Sequence, residues 1–348
     1  MNDPGCCEKE ENLYILALET SCDETAAAVL TDRGGRPVIL SSQVASQIEE
    51  HEKFGGVVPE IASRRHLELF ETVVNKALRE AGVKMDDITA VAATRGPGLV
   101  GALLVGFAGA KAIAMARDIP FIAVNHVAGH IYANFLVHEN IRSPFLCLTV
   151  SGGHTDLIYF HDTTEYEILG RTRDDAAGEA FDKIARFLEL GYPGGPVIER
   201  EASKGNAEEV ELPRAFEGEE TYDFSFSGLK TAVLNYVHNA RQREEEIDIP
   251  DLAASFQQAV IESLLPQVKG ALDNYETASL MLAGGVAANK SLRQRFSELA
   301  EKNGIPLYVP PLDLCTDNAA MIGAAAYYRL QKGQSDDLGT DVKATLTM

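Results

Sequence analysis

At 348 residues the chain is long enough for about two domains with a core each, and its 45% hydrophobic and 24% charged residues exclude a disordered, collagenous or coiled-coil protein. Its 31 Lys+Arg against 52 Asp+Glu leave a net charge of −21, a field that repels nucleic acid, so action on RNA requires a local basic patch or a partner that supplies cations. No window of 18 uncharged apolar residues predicts a membrane span, the polar and acidic start lacks a signal-peptide core, and the five cysteines form no CxxC pair. The expected setting is the cytoplasm, with reduced thiols and neither a disulfide framework nor a thiolate zinc site.

Residues 1–12 are expected to be a disordered tail. Short buried strands follow at 13–18 and 26–30, joined by the polar turn Glu19-Thr-Ser-Cys-Asp-Glu-Thr25. The spacing of Ile61, Leu67, Phe70, Val73, Val74 and Leu78 predicts an amphipathic helix over 59–81. A strand at 88–94 runs into Arg95-Gly-Pro-Gly98, and the Ala- and Gly-rich stretch 99–117 suits a helix packed on a sheet. A strand at 121–124 and a helix at 126–137 complete the first half. From Pro144 the alternation restarts with strands at 145–150 and 156–160 around Ser151-Gly-Gly-His154. Helices at 176–190, 229–240 and 251–275 follow, then a strand at 279–282, a glycine loop, a helix to 302, a short strand at 308–309 and a last helix at 317–330. Residues 333–348 are expected to be a second flexible tail. Ala17 to Thr25 and Leu148 to Thr155 share one pattern: apolar strand, serine, three residues, threonine, second strand. Two related α/β lobes with a cleft between them, divided near 142–144, account for it.

His126-Val-Ala-Gly-His130 sets two imidazoles at i and i+4, one turn apart on a helix face, where both can reach one divalent metal or simply lie on a polar surface. Val127 stands where a zinc protease carries its glutamate base, which disfavours proteolysis. Gly129, a poor helix former, suggests that something approaches the backbone closely. Asp317 is a third candidate ligand or an N-cap of the last helix. Ser151-Gly152-Gly153 offers backbone amides to a phosphate or forms a plain turn. Gly284-Gly-Val-Ala-Ala-Asn289-Lys290-Ser291 lies between strand and helix, a position suited to a nucleotide, although Asn289 replaces the second glycine of a P-loop. Asp182 reads as a solvated helix residue unless its helix borders the cleft, and Pro193-Gly-Gly-Pro196 reads as turn chemistry.

In this order the motifs resemble one family. Leu18-Glu-Thr-Ser-Cys-Asp-Glu-Thr25, Val58-Pro-Glu-Ile-Ala-Ser-Arg-Arg-His66, Gly96-Pro-Gly-Leu-Val-Gly101, Asn125-His-Val-Ala-Gly-His130, Val150-Ser-Gly-Gly-His-Thr155, Gly178-Glu-Ala-Phe-Asp182, Tyr192-Pro-Gly-Gly-Pro196, Phe224-Ser-Phe-Ser-Gly-Leu-Lys230, Gly284-Gly-Val-Ala-Ala-Asn289 and Cys315-Thr-Asp-Asn-Ala-Ala-Met-Ile322 are similar to the bacterial TsaD family, the tRNA N6-adenosine threonylcarbamoyltransferases formerly described as O-sialoglycoprotein endopeptidases. The resemblance implies two ribonuclease-H-like lobes of the actin-like, hexokinase and Hsp70 type around a central cleft. The first lobe would span 13–142, the second 143–316, with the helix at 317–332 returning to the first. It implies transfer of threonylcarbamoyl from threonylcarbamoyl-AMP to N6 of adenosine 37 in tRNAs reading codons that begin with A. It implies one divalent ion, iron or zinc, on His126, His130 and Asp317, and substrate contacts from Thr149, Val150, Ser151, Gly152, Gly153, Asp182, Gly195, Glu199 and Asn289. At position 199 the family pattern leads us to expect Asp, and Glu is one methylene longer. No general base emerges, His154 being a guess. The implied partners are tRNA, a TsaB-like paralogue, a TsaE-like ATPase and a TsaC-type enzyme that supplies the adenylate. An ATPase or phosphotransferase of the same fold, a metalloprotease and a non-catalytic scaffold are the competing readings.

Overall fold

A computed structural model describes residues 13–216 and 218–348; the tail expected over 1–12 lies outside the described residues. The first sheet holds β1 (Tyr14–Glu19), β2 (Glu24–Asp32), β3 (Pro37–Ser46), β4 (Ala90–Gly96) and β5 (Phe121–Asn125) in the order β3-β2-β1-β4-β5. The second holds β6 (Phe145–Val150), β7 (Thr155–Phe160), β8 (Tyr166–Arg171), β9 (Ser279–Ala283) and β10 (Leu307–Tyr308) in the order β8-β7-β6-β9-β10. Each opens with an antiparallel hairpin, extends it by a third antiparallel strand and adds two parallel strands on the other side. The repeated serine hairpin thus heads a repeated sheet, the two-lobed actin-like arrangement. The outer strands β3 and β8, unforeseen in the sequence, are mostly only half-buried and mix apolar with polar residues without the strict alternation of a half-buried strand.

Helices α1 (Ile48–Glu52), α2 (Pro59–Ala81) and α3 (Val100–Arg117) belong to the first half of the chain. Leu16, Val29, Val73, Val91 and Phe107 fill the core between α2, α3 and one face of the first sheet. By length and composition α3 is one helix able to cross a membrane, against expectation, yet its buried face is part of this core. The other face is covered by α4 (His126–Tyr132) and by α11 (Ala319–Gln331), which returns from the end of the chain. Between them α5 (Ala177–Phe187), α6 (Gly194–Ala202), α7 (Ser227–Gln242), α8 (Ile249–Asn274), α9 (Lys290–Lys302) and α10 (Leu312–Cys315) belong to the second half, the first five packing on the second sheet. The helix expected over 126–137 ends at Tyr132 and passes into a 3₁₀ turn, whose Phe135 joins Ile131 against the second sheet. Helix α4 therefore lies between the two sheets, which is why its side chains face the cleft.

The segment 333–348, expected to be flexible, is bound to the first lobe. The Asp336 amide donates to Phe121 O (2.8 Å) and its carboxylate accepts from Ala123 N (2.8 Å), closing the free edge of β5. Further on, Lys343 N donates to Arg95 O (2.9 Å) and Gly98 N to Ala344 O (3.1 Å). A Cβ on Gly96 would lie 1.9 Å from Lys343 O, so only glycine admits the segment there.

Candidate functional site

The histidines of α4 meet the start of α11 in the cleft. Asn125 caps α4, accepting from Val127 N (2.9 Å) and Ala128 N (3.2 Å), and this fixes the first turn that carries His126. The imidazole rings of His126 and His130 stand 4.8 Å apart and nearly perpendicular. Asp317 Oδ1 is 3.4 Å from His126 Nε2 and 3.2 Å from His130 Nε2. Asp317 is not the N-cap of α11. That task falls to Asn318, whose Oδ1 accepts from Met321 N (2.9 Å), leaving the Asp317 carboxylate free to face the histidines. Gly129 also has a different reason from the expected one: a Cβ there would lie 2.8 Å from Ile322 Cδ1 and 3.2 Å from Met321 Cγ, so the glycine lets α4 press on α11 and brings the ligands together.

Burial opposes a charge on His126, but Asp317 and then Glu19 outweigh it and hold its pKa well above the usual imidazole range. Burial likewise works against the Asp317 carboxylate, and His126 with His130 reverses this and pulls it well below its usual range. Two ring nitrogens and a carboxylate oxygen crowded at these distances require positive charge among them, supplied by protons or by a cation. All three donor atoms lie within 4.8 Å of one another, and the set of two imidazoles and one carboxylate is that of a catalytic site for zinc or iron with open positions. The donor chemistry fits a divalent ion. His130 Nδ1 is buried without a partner among the described residues, whereas His126 Nδ1 is held by Glu19 Oε2 (3.1 Å) and Ser21 Oγ (3.2 Å).

Across the cleft, the turn after β6 is drawn tight by Ser151 N donating to His154 O (2.8 Å). Among the described residues no acceptor pairs with the amides of Gly152 and Gly153, which are exposed. A Cβ on either meets nothing within 4 Å, so space is open over the turn. The second glycine loop meets the first: a Cβ on Gly284 would lie 2.5 Å from Val150 O, and one on Gly178 would lie 2.6 Å from Ser151 O. Thr149 is buried on β6, its hydroxyl donating to Asp156 O (3.2 Å). Asp182, read from sequence as solvated unless its helix borders the cleft, is half-buried, and its Oδ1 accepts from Gly194 N (2.7 Å), tying α5 to α6 beside the open Gly195. Burial pushes its pKa up. Glu199 on α6 reaches Lys290 N (2.7 Å) with its longer side chain, and the next residue back, Asn289, caps α9 through Leu292 N (2.9 Å) and donates to Gln257 (2.7 Å). The substrate-contact residues implied by the family resemblance thus share one wall, formed by β6, α5, α6 and the start of α9. His154 stands between the two walls; burial first, then His126 and His130, push its pKa down to about 4.

The acidic floor of the cleft carries no local signal in the sequence. Glu19 is fully buried, and Asp23 beside it nearly so. Burial, Asp23 and Asp317 push the Glu24 carboxyl up to about 10. Burial, with Asp23 and Asp182 adding, also raises the Tyr192 phenol. Among cations that could serve as a local basic patch for RNA, Arg65 is neutralised by Glu50 (3.1 Å) and Glu68 (2.7 Å), Arg64 is exposed, and Arg95 is half-buried with Nε on Asp341 O (2.9 Å).

A profile of the family described as "TsaD: tRNA N6-adenosine threonylcarbamoyltransferase" matches residues 38–324. A tRNA N6-adenosine threonylcarbamoyltransferase of Clostridioides difficile is 52% identical over 335 residues, covering 96% of this chain and 98% of the relative. Its counterpart in Bacillus thuringiensis is 54% identical over 342 residues with the same coverage of both. Among solved structures, component A of (R)-2-hydroxyglutaryl-CoA dehydratase from Acidaminococcus fermentans superposes with a TM-score of 0.53 at 15% identity, covering 92% of this chain and 98% of that one. The HypF protein of T. kodakarensis gives 0.59 at 15% identity, covering 92% of this chain and 48% of its own. These last two likenesses concern the fold alone.

Proposed function

The chain belongs to the TsaD family of tRNA N6-adenosine threonylcarbamoyltransferases and forms N6-threonylcarbamoyladenosine in tRNA; from that premise we propose how its cleft carries the transfer and with what partners. The donor is threonylcarbamoyl-AMP. A divalent ion, iron or zinc, held by His126, His130 and Asp317 supplies Lewis acidity toward the carbamate carbonyl when bound. The free amides of Gly152 and Gly153 hold the phosphate that leaves with AMP. Asp182, Gly195, Glu199 and the loop at Asn289 hold its nucleoside. The exocyclic amine of adenine is a weak nucleophile, so the two walls serve chiefly to align N6 with the carbonyl and to exclude water. With its pKa near 4, His154 is neutral at pH 7 and too weakly basic to remove the N6 proton efficiently, but it can donate or accept a hydrogen bond without adding charge.

A net charge of −21 makes unaided RNA binding unfavourable. The chain therefore works in the cytoplasm with a TsaB-like paralogue and a TsaE-like ATPase, a TsaC-type enzyme making the adenylate. The exposed apolar side chains Leu67 on α2 and Val100, Leu104 and Met115 on α3 offer the paralogue a face, since soluble chains seldom leave such a stripe uncovered. The observation that carries the mechanism is the meeting of the His126/His130/Asp317 trio and the two glycine turns on opposite walls of one cleft. Mass analysis of tRNA nucleosides after incubation with the chain, threonine, bicarbonate, ATP and these partners tests it. Modified adenosine is expected with wild type and is lost with His126→Ala/His130→Ala; equal product from the double variant would refute the assignment.

A further inference from the structure

The transfer described above makes no use of Glu19, yet few charged side chains are placed so deliberately. It ends β1 with no exposed surface. A buried carboxylate is tolerable only when hydrogen bonds replace its water, and Glu19 accepts three. The Ser21 amide donates to Oε1, while the Thr94 hydroxyl and His126 Nδ1 (3.1 Å) both reach Oε2. Of the two carboxyl groups that face the ring, Glu19 is closer to Nδ1 (3.1 Å) than Asp317 is to Nε2 (3.4 Å), so the single hydrogen of the neutral ring goes to Nδ1. We propose that Glu19 is a positioning residue that fixes the His126 ring in its Nδ1–H form and leaves the Nε2 lone pair aimed at Asp317 and His130. The inference rests on the reading of that trio as a metal site. Such an outer carboxylate also raises the basicity of the ligand it holds. His130 lacks an equivalent, its Nδ1 being without a partner among the described residues, so Glu19 orients one histidine of the two.

Glu19→Gln separates this role from packing, because the two side chains have the same shape. The Ser21 amide can only donate, so the glutamine oxygen must take the Oε1 place. Its amide nitrogen then faces Thr94, which can rotate its hydroxyl to accept, and His126 Nδ1, which must now accept as well. The ring is driven to its Nε2–H form, with a hydrogen where a metal would bind. Ser21 Oγ, 3.2 Å from Nδ1, is a second acceptor that could retain the original form, so the substitution is made alone and with Ser21→Ala. Nitrogen-15 NMR of the neutral His126 ring at alkaline pH reads the tautomer, and zinc titration reads the site. In wild type and in Ser21→Ala we expect Nδ1–H. In Glu19→Gln/Ser21→Ala we expect Nε2–H and zinc affinity lower by about 10–100-fold, with an unchanged circular dichroism spectrum. Nε2–H in the wild-type chain would overturn the proposal without any variant, as would retained Nδ1–H with zinc affinity unchanged in the double variant. Failure of wild type to bind zinc would count against the metal reading alone, and the tautomers would still decide for or against Glu19.

Discussion

Replacing Gly129 by alanine tests whether the close contact of α4 and α11 builds the proposed metal site. In an open helix the change is favourable by up to about 1 kcal/mol, because glycine has more backbone entropy to lose. Here the new Cβ would lie 2.8 Å from Ile322 Cδ1 and 3.2 Å from Met321 Cγ, and both of those side chains are fully buried. Overpacking of this kind costs about 1–3 kcal/mol, which outweighs the entropic gain and leaves a net loss of about 1 kcal/mol. Relief to an ordinary contact at 3.4 Å requires a separation of about 0.6 Å, larger than the roughly 0.2 Å tolerance of a metal–ligand distance. His126 and His130 ride on the helix that moves, and Asp317 precedes the one that resists. Zinc affinity should therefore fall on the order of tenfold, equivalent to about 1.4 kcal/mol. Urea denaturation of the metal-free chain and zinc calorimetry measure the two effects. Gly228→Ala on α7 is the control: its Cβ would meet nothing within 4 Å, so the chain should be unchanged or slightly more stable. If Gly129→Ala matched that control in stability and bound zinc as wild type does, the close-approach argument would be wrong.

Gly153→Val fills the open space over the serine turn and should weaken binding of an adenylate with little change in stability, as calorimetry would show; unchanged affinity would remove the phosphate role of the turn. Asn289→Ala removes a helix cap and the partner of Gln257, so a loss of about 1 kcal/mol in denaturation is expected beside weaker adenylate binding. His154 is held near pKa 4 when folded against an ordinary value near 6.5, so in the metal-free chain the unfolded state binds more protons between these limits. Its contribution, up to about 3 kcal/mol, is fully present above pH 6.5 and lost as the pH falls toward 4; His154→Asn should flatten that part of the stability curve, and an identical slope would exclude the assignment. Leu104→Glu puts a charge on the exposed stripe of α3 and should abolish binding of the paralogue, read by size-exclusion chromatography, without altering zinc affinity. At physiological salt the chain alone should transfer little, with activity restored by the partners; full activity and salt-insensitive tRNA binding by the chain alone would contradict the charge argument.

The parts of this molecule legible in its sequence are those whose signal is local. The buried strands β1, β2, β6 and β9 are built on apolar runs, and the serine hairpins announce the duplication because a turn and its two strands lie within one short stretch of chain, 14–32 and 145–160. Strands β3 and β8 mix apolar with polar residues and take their form from the neighbour they pair with, which no window of sequence contains. Asp317 and Asn318 are both good capping residues, so residue type could not say which would cap. The backbone at Asn318 places that side chain over Met321 N and frees the aspartate. Glu19 was the least legible. It follows an apolar run and precedes a threonine, as a turn residue would, and its burial depends on Thr94 and His126, 75 and 107 positions away.

The same long-range assembly gives the cleft its chemistry. Glu19, Asp23, Glu24, Asp182 and Asp317 come from three separate stretches of chain and converge where, on the proposed function, an anionic adenylate and an RNA enter. Left alone, such a floor would repel both. The raised pKa of Glu24 answers part of the problem by favouring its uncharged form, and the His126–His130–Asp317 trio answers another part by offering a place to a divalent cation. What these cannot offset is the surplus of carboxylates over the rest of the surface, because a cation in the cleft is screened beyond about 10 Å at ordinary ionic strength. On the proposed function a metal would make the donor acceptable locally, while a partner's surface would make the RNA acceptable at a distance. The two requirements are separable by salt: raising ionic strength should weaken tRNA binding to the assembled complex steeply, yet leave adenylate affinity, governed by short contacts inside the cleft, far less changed.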